Sequence, residues 1–374
     1  MLNGKEGFHI EDLRAILLQF DLGESFTEIL EPRELTDGHI NSTYLIEARG
    51  EQSAARGEQS RRFVLQKINT YVFKRPVELM ENIVRVTQYI RQRGQAALAV
   101  HPALDGKWAY VDASGAYWRC YTYVDNTYSL QAAGSERDAY RAAKAFGAFQ
   151  RMLDGFPIAG LHETIPDFHN TARRYEALEQ AIAKNAAGRK DKVAAEIAFA
   201  RARKADAGRL LALLEAGELP LRVTHNDTKL NNVLFDNGTH EPVCVVDLDT
   251  IMPGLSLYDY GDSLRFLGNT AAEDERDLSK VRFSMPLFWA YTRGYLEAAA
   301  GALTKNEIDL LPFSIKLMTY ECGMRFLTDY LDGDVYFRIR RPDDNLARCR
   351  TQFALVKEIE ALLPEMERFV RGLA

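Results

Sequence analysis

The stretch Arg222 to Asp236, RVTHNDTKLNNVLFD, sets Asp227 two residues after a histidine and Asn232 five residues beyond that aspartate. A second aspartate, Asp247, follows in the apolar run Val243 to Leu248. A phosphoryl group in transfer asks for little covalent help and much positioning. Asp227 would accept the proton of an attacking hydroxyl, while the side-chain carbonyl of Asn232 and the carboxylate of Asp247 would offer hard oxygen ligands to Mg2+. Lys229, on the same loop, could reach the transferring phosphate as a point charge. The pattern outlines a phosphoryl-transfer site. The bland alternative is a polar loop that merely caps a hairpin, and the second aspartate weighs against it.

Two short buried strands must position these groups. Val-Leu-Phe after Asn232 and Pro-Val-Cys-Val-Val before Asp247 read as a hairpin closed by the turn Asp236-Asn237-Gly238, which brings Asn232 beside Asp247. Asp249 reads either as a satisfied turn carboxylate or as a second contact to metal or substrate.

HNDTKLNN followed by VVDLDT resembles the H-x-D-x-x-x-x-N and metal-aspartate pair of the aminoglycoside phosphotransferase and choline kinase family, relatives of the protein kinases. RVTHNDTKLNNVLFD, VVDLDTIMPGLSLYDYGDSLRF and RFLTDYLDGDVYF are similar to the N-acetylhexosamine 1-kinase group, over about Glu34 to Val356. The resemblance implies a protein-kinase-like two-lobe α+β fold, with a small antiparallel sheet lobe at residues 1–125 and a larger, mainly helical lobe at residues 126–374. It implies ATP and Mg2+ as cofactors. Asp259 matches the family's structural aspartate that braces the catalytic loop, and Arg325 and Tyr336 match positions that contact the sugar. Phe266 could line a sugar face, although an aromatic there is more often core.

The front lobe is read on that frame. Asp37-Gly38 makes a turn before the alternating strand Thr43 to Ala48, where a kinase covers nucleotide phosphates. The glycine-rich signature is absent, but GHINSTY looks like the family's version, and His39 would overhang the site. Arg49 to Arg62, with its near-duplicated RGEQSAA and RGEQSRR, reads as a solvated loop. Lys67 ends the strand RFVLQKI, in the place of the lysine that grips the α- and β-phosphates. Pro76 opens a helix on which Glu81 lies beside the buried face, as the expected partner of Lys67. The adenine hinge falls near Tyr123 to Asp125, with Tyr123 and Val124 offering backbone groups to the base. Leu13, Ile16, Leu17 and Phe20 form a stripe on a first helix, read as a surface helix rather than one packed on the sheet. Thr171 to Leu214 reads as two helices with solvated charged faces.

A chain of 374 residues suggests two lobes, and its net charge of −6 excludes a nucleic-acid binder on charge grounds. The four cysteines form no C-x-x-C pair, so neither disulfides nor zinc are expected. The N-terminus is no secretory segment, and a cytoplasmic location is the default. The expected reaction is ATP-dependent phosphorylation of the anomeric hydroxyl of an N-acetylhexosamine. The alternatives are a kinase of an aminoglycoside, choline or homoserine, and a nucleotide-binding regulator without catalysis. ATP and a small sugar are the expected partners, with neither nucleic acid nor membrane.

Overall fold

The computed structural model describes residues 10–36, 40–50 and 60–373. The expected phosphate-loop turn at Asp37-Gly38, His39, and most of the duplicated loop lie outside them. Two compact units divide the chain: residues up to Thr127 together with Leu161–Thr164, and Tyr128–Gly160 with the chain from Ile165 onward.

The first unit is built on an antiparallel sheet. Its strands are β1 (Phe26–Ile29), β2 (Arg33–Leu35), β3 (Ser42–Gly50), β4 (Arg61–Lys67), β5 (Val100–His101), β6 (Tyr110–Val111) and β7 (Tyr117–Thr122). The main path runs β1-β3-β4-β7-β5, with β2 also on β3 and β6 also on β7. Residues on one face are fixed by register: Tyr44, Leu65 and Cys120 stand in one row, and Ser42, Lys67 and Trp118 in the next. Helix α1 (Ile10–Leu17) packs Leu13, Ile16 and Leu17 on this face, and Phe20 joins them, in one cluster with Phe63, Leu65 and Trp118. The first helix is therefore a core element of the sheet lobe, not the surface helix expected from its stripe. Helix α2 (Pro76–Gln92) starts at the proline, as its fixed φ favours, and meets the other face, where buried Arg119 beside Gln66 reaches Met80.

The second unit is mainly helical, with two small sheets. Strand β8 (Arg222–Thr224) pairs with β11 (Met252–Gly254), and β9 (Val233–Asp236) with β10 (Pro242–Val245). Helix α3 (Glu136–Met152) precedes α4 (Thr171–Lys184), which is followed by the short helices α5 (Ala194–Arg201), α6 (Lys204–Ala207) and α7 (Arg209–Glu215). The two helices expected over Thr171 to Leu214 are thus broken into four. Asn185 turns left-handed after α4, at φ 46°, and Gly188 repeats the turn at φ 66°. Helices α8 (Ser256–Leu267), α9 (Met285–Ala299), α10 (Lys305–Asp332) and α11 (Asp344–Leu373) complete the unit. A capping box between Thr304 and Glu307 starts α10, and Gly333 at φ 99° stops it. Helices α3 and α9 approach at two glycines: a Cβ on Gly147 would lie 2.3 Å from the Tyr295 carbonyl oxygen, and one on Gly294 2.3 Å from that of Tyr140. Among the described residues no helix is long and apolar enough to cross a membrane.

Candidate active site

The loop between β8 and β9 is held from behind by side chains that spend themselves on its backbone. Asp259, on the first turn of α8 and 2% exposed, accepts from the amides of His225 (2.9 Å) and Asn226 (2.7 Å) and from Gln150 Nε2 (3.2 Å). Burial pushes the Asp259 carboxyl up from its ordinary value, against the pull of the two amides it accepts from. Asn226 sits left-handed at φ 63° and ties the loop to the Thr250 carbonyl at 2.8 Å. Thr228 Oγ1 donates to the Asp259 carbonyl, and Ser263 Oγ to that of Thr228.

His225 is the internal strut. Its Nε2 donates to the Val246 carbonyl at 2.9 Å, and its Nδ1 accepts from the Asp227 amide at 3.3 Å, which defines a neutral imidazole protonated at Nε2. The rings of Phe146 and Phe149 on α3 meet it edge-on. His225, two residues before Asp227, thus ties the loop to the segment that leads from β10 into Asp247.

The hairpin brings the expected metal ligands to one place. Val246 donates its amide to the Asn232 carbonyl at 2.9 Å, which puts Asp247 next to Asn232. Asn232 Nδ2 donates to the Asp227 carbonyl at 2.8 Å, which leaves its Oδ1 for a cation. Asp247 is exposed and left-handed at φ 59°, while Asp249 two residues on is buried. No cluster of three or more His, Cys, Asp or Glu able to hold a metal occurs among the described residues. A pair of hard oxygens fits Mg2+, which keeps waters and substrate phosphates in its remaining positions. Lys229 Nζ lies 2.8 Å from Asp227 Oδ1 and 3.1 Å from Oδ2. Burial lowers the Lys229 pKa, but the Asp227 charge outweighs it and the net direction is up.

In the first unit the pairing of Lys67 with Glu81 is corrected. Glu81 bonds His162 Nε2 at 2.6 Å, and His162 is itself held through backbone bonds to Asn82. The reason is strand parity: Lys67 shares a face with Leu65 and Trp118, whereas α2 covers the face of Gln66 and Arg119. At the hinge, the Tyr123 amide donates to the Arg62 carbonyl, and the Val124 carbonyl accepts from Thr127 Oγ1. Arg62 also covers the Tyr123 ring and pairs with Asp125.

Arg325 and Tyr336 line one cleft of about 210 Å3 in the second unit, with Arg174, Ala177, Thr328, Asp329, Asp332, Val335 and Phe337. The spacing explains it: Glu321, Arg325 and Asp329 repeat every four residues on α10, and Arg174 and Ala177 lie three apart on α4. Asp329 is saturated, accepting from the amides of Val335, Tyr336 and Phe337 and from Asn345 Nδ2. That bonding folds the turn carrying Tyr336. Phe266 stands 41% exposed on α8, between buried Arg265 and Leu267.

Sequence reasoning missed a buried pair beneath the loop. His169 Nδ1 faces Glu321 Oε1 at 2.9 Å and its Nε2 faces the Asn226 carbonyl at 3.1 Å. Both partners only accept, so both nitrogens donate and His169 is an imidazolium. Burial opposes that charge, yet Glu321 outweighs it and holds the His169 pKa up; burial likewise opposes the Glu321 anion, which the His169 bond holds down. Only the His in IPDFHN, where the helical pattern breaks, was visible as a signal.

A braced loop carrying the Asp227 carboxylate, with Asn232 and Asp247 at a hairpin mouth, on a two-lobe, protein-kinase-like fold, is the arrangement of a small-molecule kinase. The chain belongs to the phosphotransferase enzyme family, whose family model matches residues 31–294. Solved structures of similar fold include a microcompartment-associated aminopropanol kinase, 16% identical over 96% of this chain and 99% of that one, TM-score 0.62. An aminoglycoside phosphotransferase from Alicyclobacillus acidocaldarius is 14% identical over 96% of each chain, TM-score 0.61. Amicoumacin kinase with AMP-PNP and Ca2+ is 12% identical, covering 97% of this chain and 92% of that one, TM-score 0.53.

Proposed function

We propose that the protein phosphorylates the anomeric hydroxyl of an N-acetylhexosamine with ATP, giving the sugar 1-phosphate and ADP. Asp227 orients the hydroxyl and takes its proton as the acceptor oxygen forms a bond to the γ-phosphorus, and the bond from that phosphorus to the bridging oxygen of ADP breaks. An anomeric hydroxyl is more acidic than an ordinary alcohol, so a carboxylate suffices as base. Lys229 holds Asp227 in place and adds positive charge beside the transferring group. Asn232 and Asp247 would hold Mg2+, which when bound neutralises charge on the phosphate oxygens. Tyr123 and Val124 would read the adenine through the backbone, and Lys67 would serve the phosphates. Arg325 and Tyr336 would contact the sugar, and Phe266 and Asp249 would border it.

The observation that carries the sugar reading is the charge balance of the cleft. Of its two acids Asp329 is spent on four donors, which leaves Asp332 alone against Arg174 and Arg325. A cationic acceptor calls for the reverse. The volume also falls below the roughly 300–1,000 Å3 of sites for drug-sized ligands, which favours a single ring over a multi-ring antibiotic. The link to the reaction centre is short, since Glu321 beside Arg325 on α10 bonds His169, which bonds the residue before Asp227.

The test is ADP release with Mg2+ and ATP across N-acetylglucosamine, N-acetylgalactosamine, glucose, galactose, choline, homoserine, aminopropanol and an aminoglycoside, with Asp227→Asn as control. Turnover on an acetamido sugar that the variant loses, with phosphorus NMR placing the phosphate at C1, is the expected result. Turnover confined to a cationic acceptor would refute the sugar reading.

A further inference from the structure

Asp262 is an acid beside the reacting loop that the proposed reaction leaves unused. Ser263 Oγ donates to the Thr228 carbonyl at 2.8 Å, which lays this turn of α8 against the loop just before Lys229. Asp259, Asp262, Ser263 and Phe266 follow one another at helical spacing, so Asp262 lies on the side of α8 that braces the loop. One of its oxygens is matched: Oδ1 accepts from Arg265 Nε at 3.0 Å and from Nη2 at 2.8 Å. Its Oδ2 has no hydrogen-bond partner among the described residues. The side chain is 10% exposed, and that oxygen is not sealed in. Burial opposes the Asp262 charge, yet Arg265 outweighs it, with His169 and Lys229, and holds the carboxyl below its ordinary value. Asp262 is therefore an anion with one oxygen to spare, and such an oxygen is destabilising until a donor meets it.

The donor placed to meet it is Lys229. Its ammonium straddles both oxygens of Asp227, at 2.8 and 3.1 Å, and the charge of Asp262 acts on it as well. The Lys229 side chain is 44% exposed, on a flexible stem that can turn from one anion to another. The chemistry asks for that turn. As Asp227 takes the acceptor's proton it loses the charge that holds the ammonium, while the transferring phosphate still needs a cation beside it.

We propose that Asp262 is a positioning residue, whose Oδ2 receives the Lys229 ammonium as Asp227 is protonated and so keeps that cation beside the transferring phosphate. The proton passes from the acceptor hydroxyl to Asp227, and Lys229 keeps its own. This rests on the reading of Asp227 as the base and is indifferent to which acceptor is used.

The experiment measures ADP release with Mg2+ and ATP, with N-acetylglucosamine and also without an acceptor, where water takes its place. The proteins are the unaltered chain, Asp227→Asn, Asp262→Asn, Lys229→Met and Asp262→Asn/Lys229→Met, each with a thermal shift by nucleotide. Asp262→Asn should lower kcat by about tenfold, part of the worth of a general base, with the KM for ATP unchanged. In the Lys229→Met protein the same replacement should change kcat by less than about twofold, because groups that act through one another are not additive. Equal falls in both backgrounds would mean direct contact with the acceptor and overturn the proposal. So would an unchanged kcat, or a fall matched by loss of the nucleotide thermal shift. If Asp262→Asn does not fold, Asp262→Asn/Arg265→Met, which leaves no charge alone, takes its place. Nitrogen-15 lysine NMR reads the same step without turnover: ADP, Mg2+ and aluminium fluoride with N-acetylglucosamine should shift the Lys229 Nζ signal, and a shift that survives Asp262→Asn overturns the proposal. If Asp227→Asn leaves turnover intact, the base reading falls and this inference with it. If Asp227→Asn abolishes turnover and Asp262→Asn does not lower it, this inference alone falls.

Discussion

His169→Leu removes the cation of a buried pair and should be among the most damaging single substitutions outside the reacting groups. In the native structure Glu321 is 1% exposed and its carboxylate is matched by His169 at 2.9 Å and Thr171 Oγ1 at 2.6 Å. Leucine leaves that carboxylate with one neutral donor, and removing one partner of a buried ion pair costs about 3–5 kcal/mol. For a unit of this size the unfolding midpoint should drop by roughly 6–20 °C. The Asn226 carbonyl also loses its donor beside Asp227, so kcat should fall on the order of tenfold or more even where the variant is folded. The double variant His169→Leu/Glu321→Met separates the two effects: no charge is left alone, so stability returns in part, while kcat stays low. The sign with pH follows from the directions of the two shifts. The raised His169 pKa contributes stability that is complete below pH 6.5 and lost as pH rises through the folded-state value; the lowered Glu321 pKa contributes stability complete above pH 4.5 and lost as pH falls through its own. The pair is therefore at full strength between 4.5 and 6.5, and Glu321→Gln should move the alkaline loss to lower pH. Circular dichroism melting at several pH values, with ADP-release kinetics, measures all of this. A His169→Leu midpoint within a degree or two of the parent would refute the reasoning.

Other outcomes follow from the same geometry. Asp227→Asn should lower kcat by about 10²–10⁴ with ATP binding retained, checked by turnover and by a thermal shift with nucleotide. Asp259→Ala strands three buried donors and should cost about 3 kcal/mol or more, read by chemical denaturation. Chelation of divalent cations should abolish both turnover and the stabilisation by ATP, which is about 2.7 kcal/mol at a hundredfold excess over Kd. Gly147→Ala drives a methyl into the Tyr295 carbonyl and should destabilise by about 1–3 kcal/mol, visible in the melting temperature.

The family and the two-lobe, sheet-then-helix fold were legible because their signals are local: a motif of fixed spacing, a proline at a helix start, and short apolar runs around Asp236-Asn237-Gly238. The hairpin that sets Asn232 beside Asp247 belongs to the same class. What was not legible depends on long-range packing. Helical periodicity placed Glu81 on its helix but carried no information on which face of β4 that helix would cover, so the Lys67 partnership was misassigned. The stripe on α1 is the same whether it meets solvent or Trp118. Arg174 and His169 lie about 50 or more residues in sequence from their cleft and loop partners, and the charges around Arg174 read as a solvated face until α10 was seen to cover it.

The meeting of α3 and α9 at Gly147 and Gly294 bears on how the protein can diversify. Backbone pressed on backbone admits almost no substitution, and α3 carries both Gln150, which grips Asp259, and the phenylalanines around His225. The back of the reacting loop is thereby mutationally closed. The proposed acceptor cleft, by contrast, is lined by side chains of α4, α10 and the exposed turn at Val335 and Tyr336, whose exchange disturbs neither of these two glycine contacts. Descendants of this chain can therefore drift toward new acceptors through a few replacements there, while the phosphate chemistry is inherited intact.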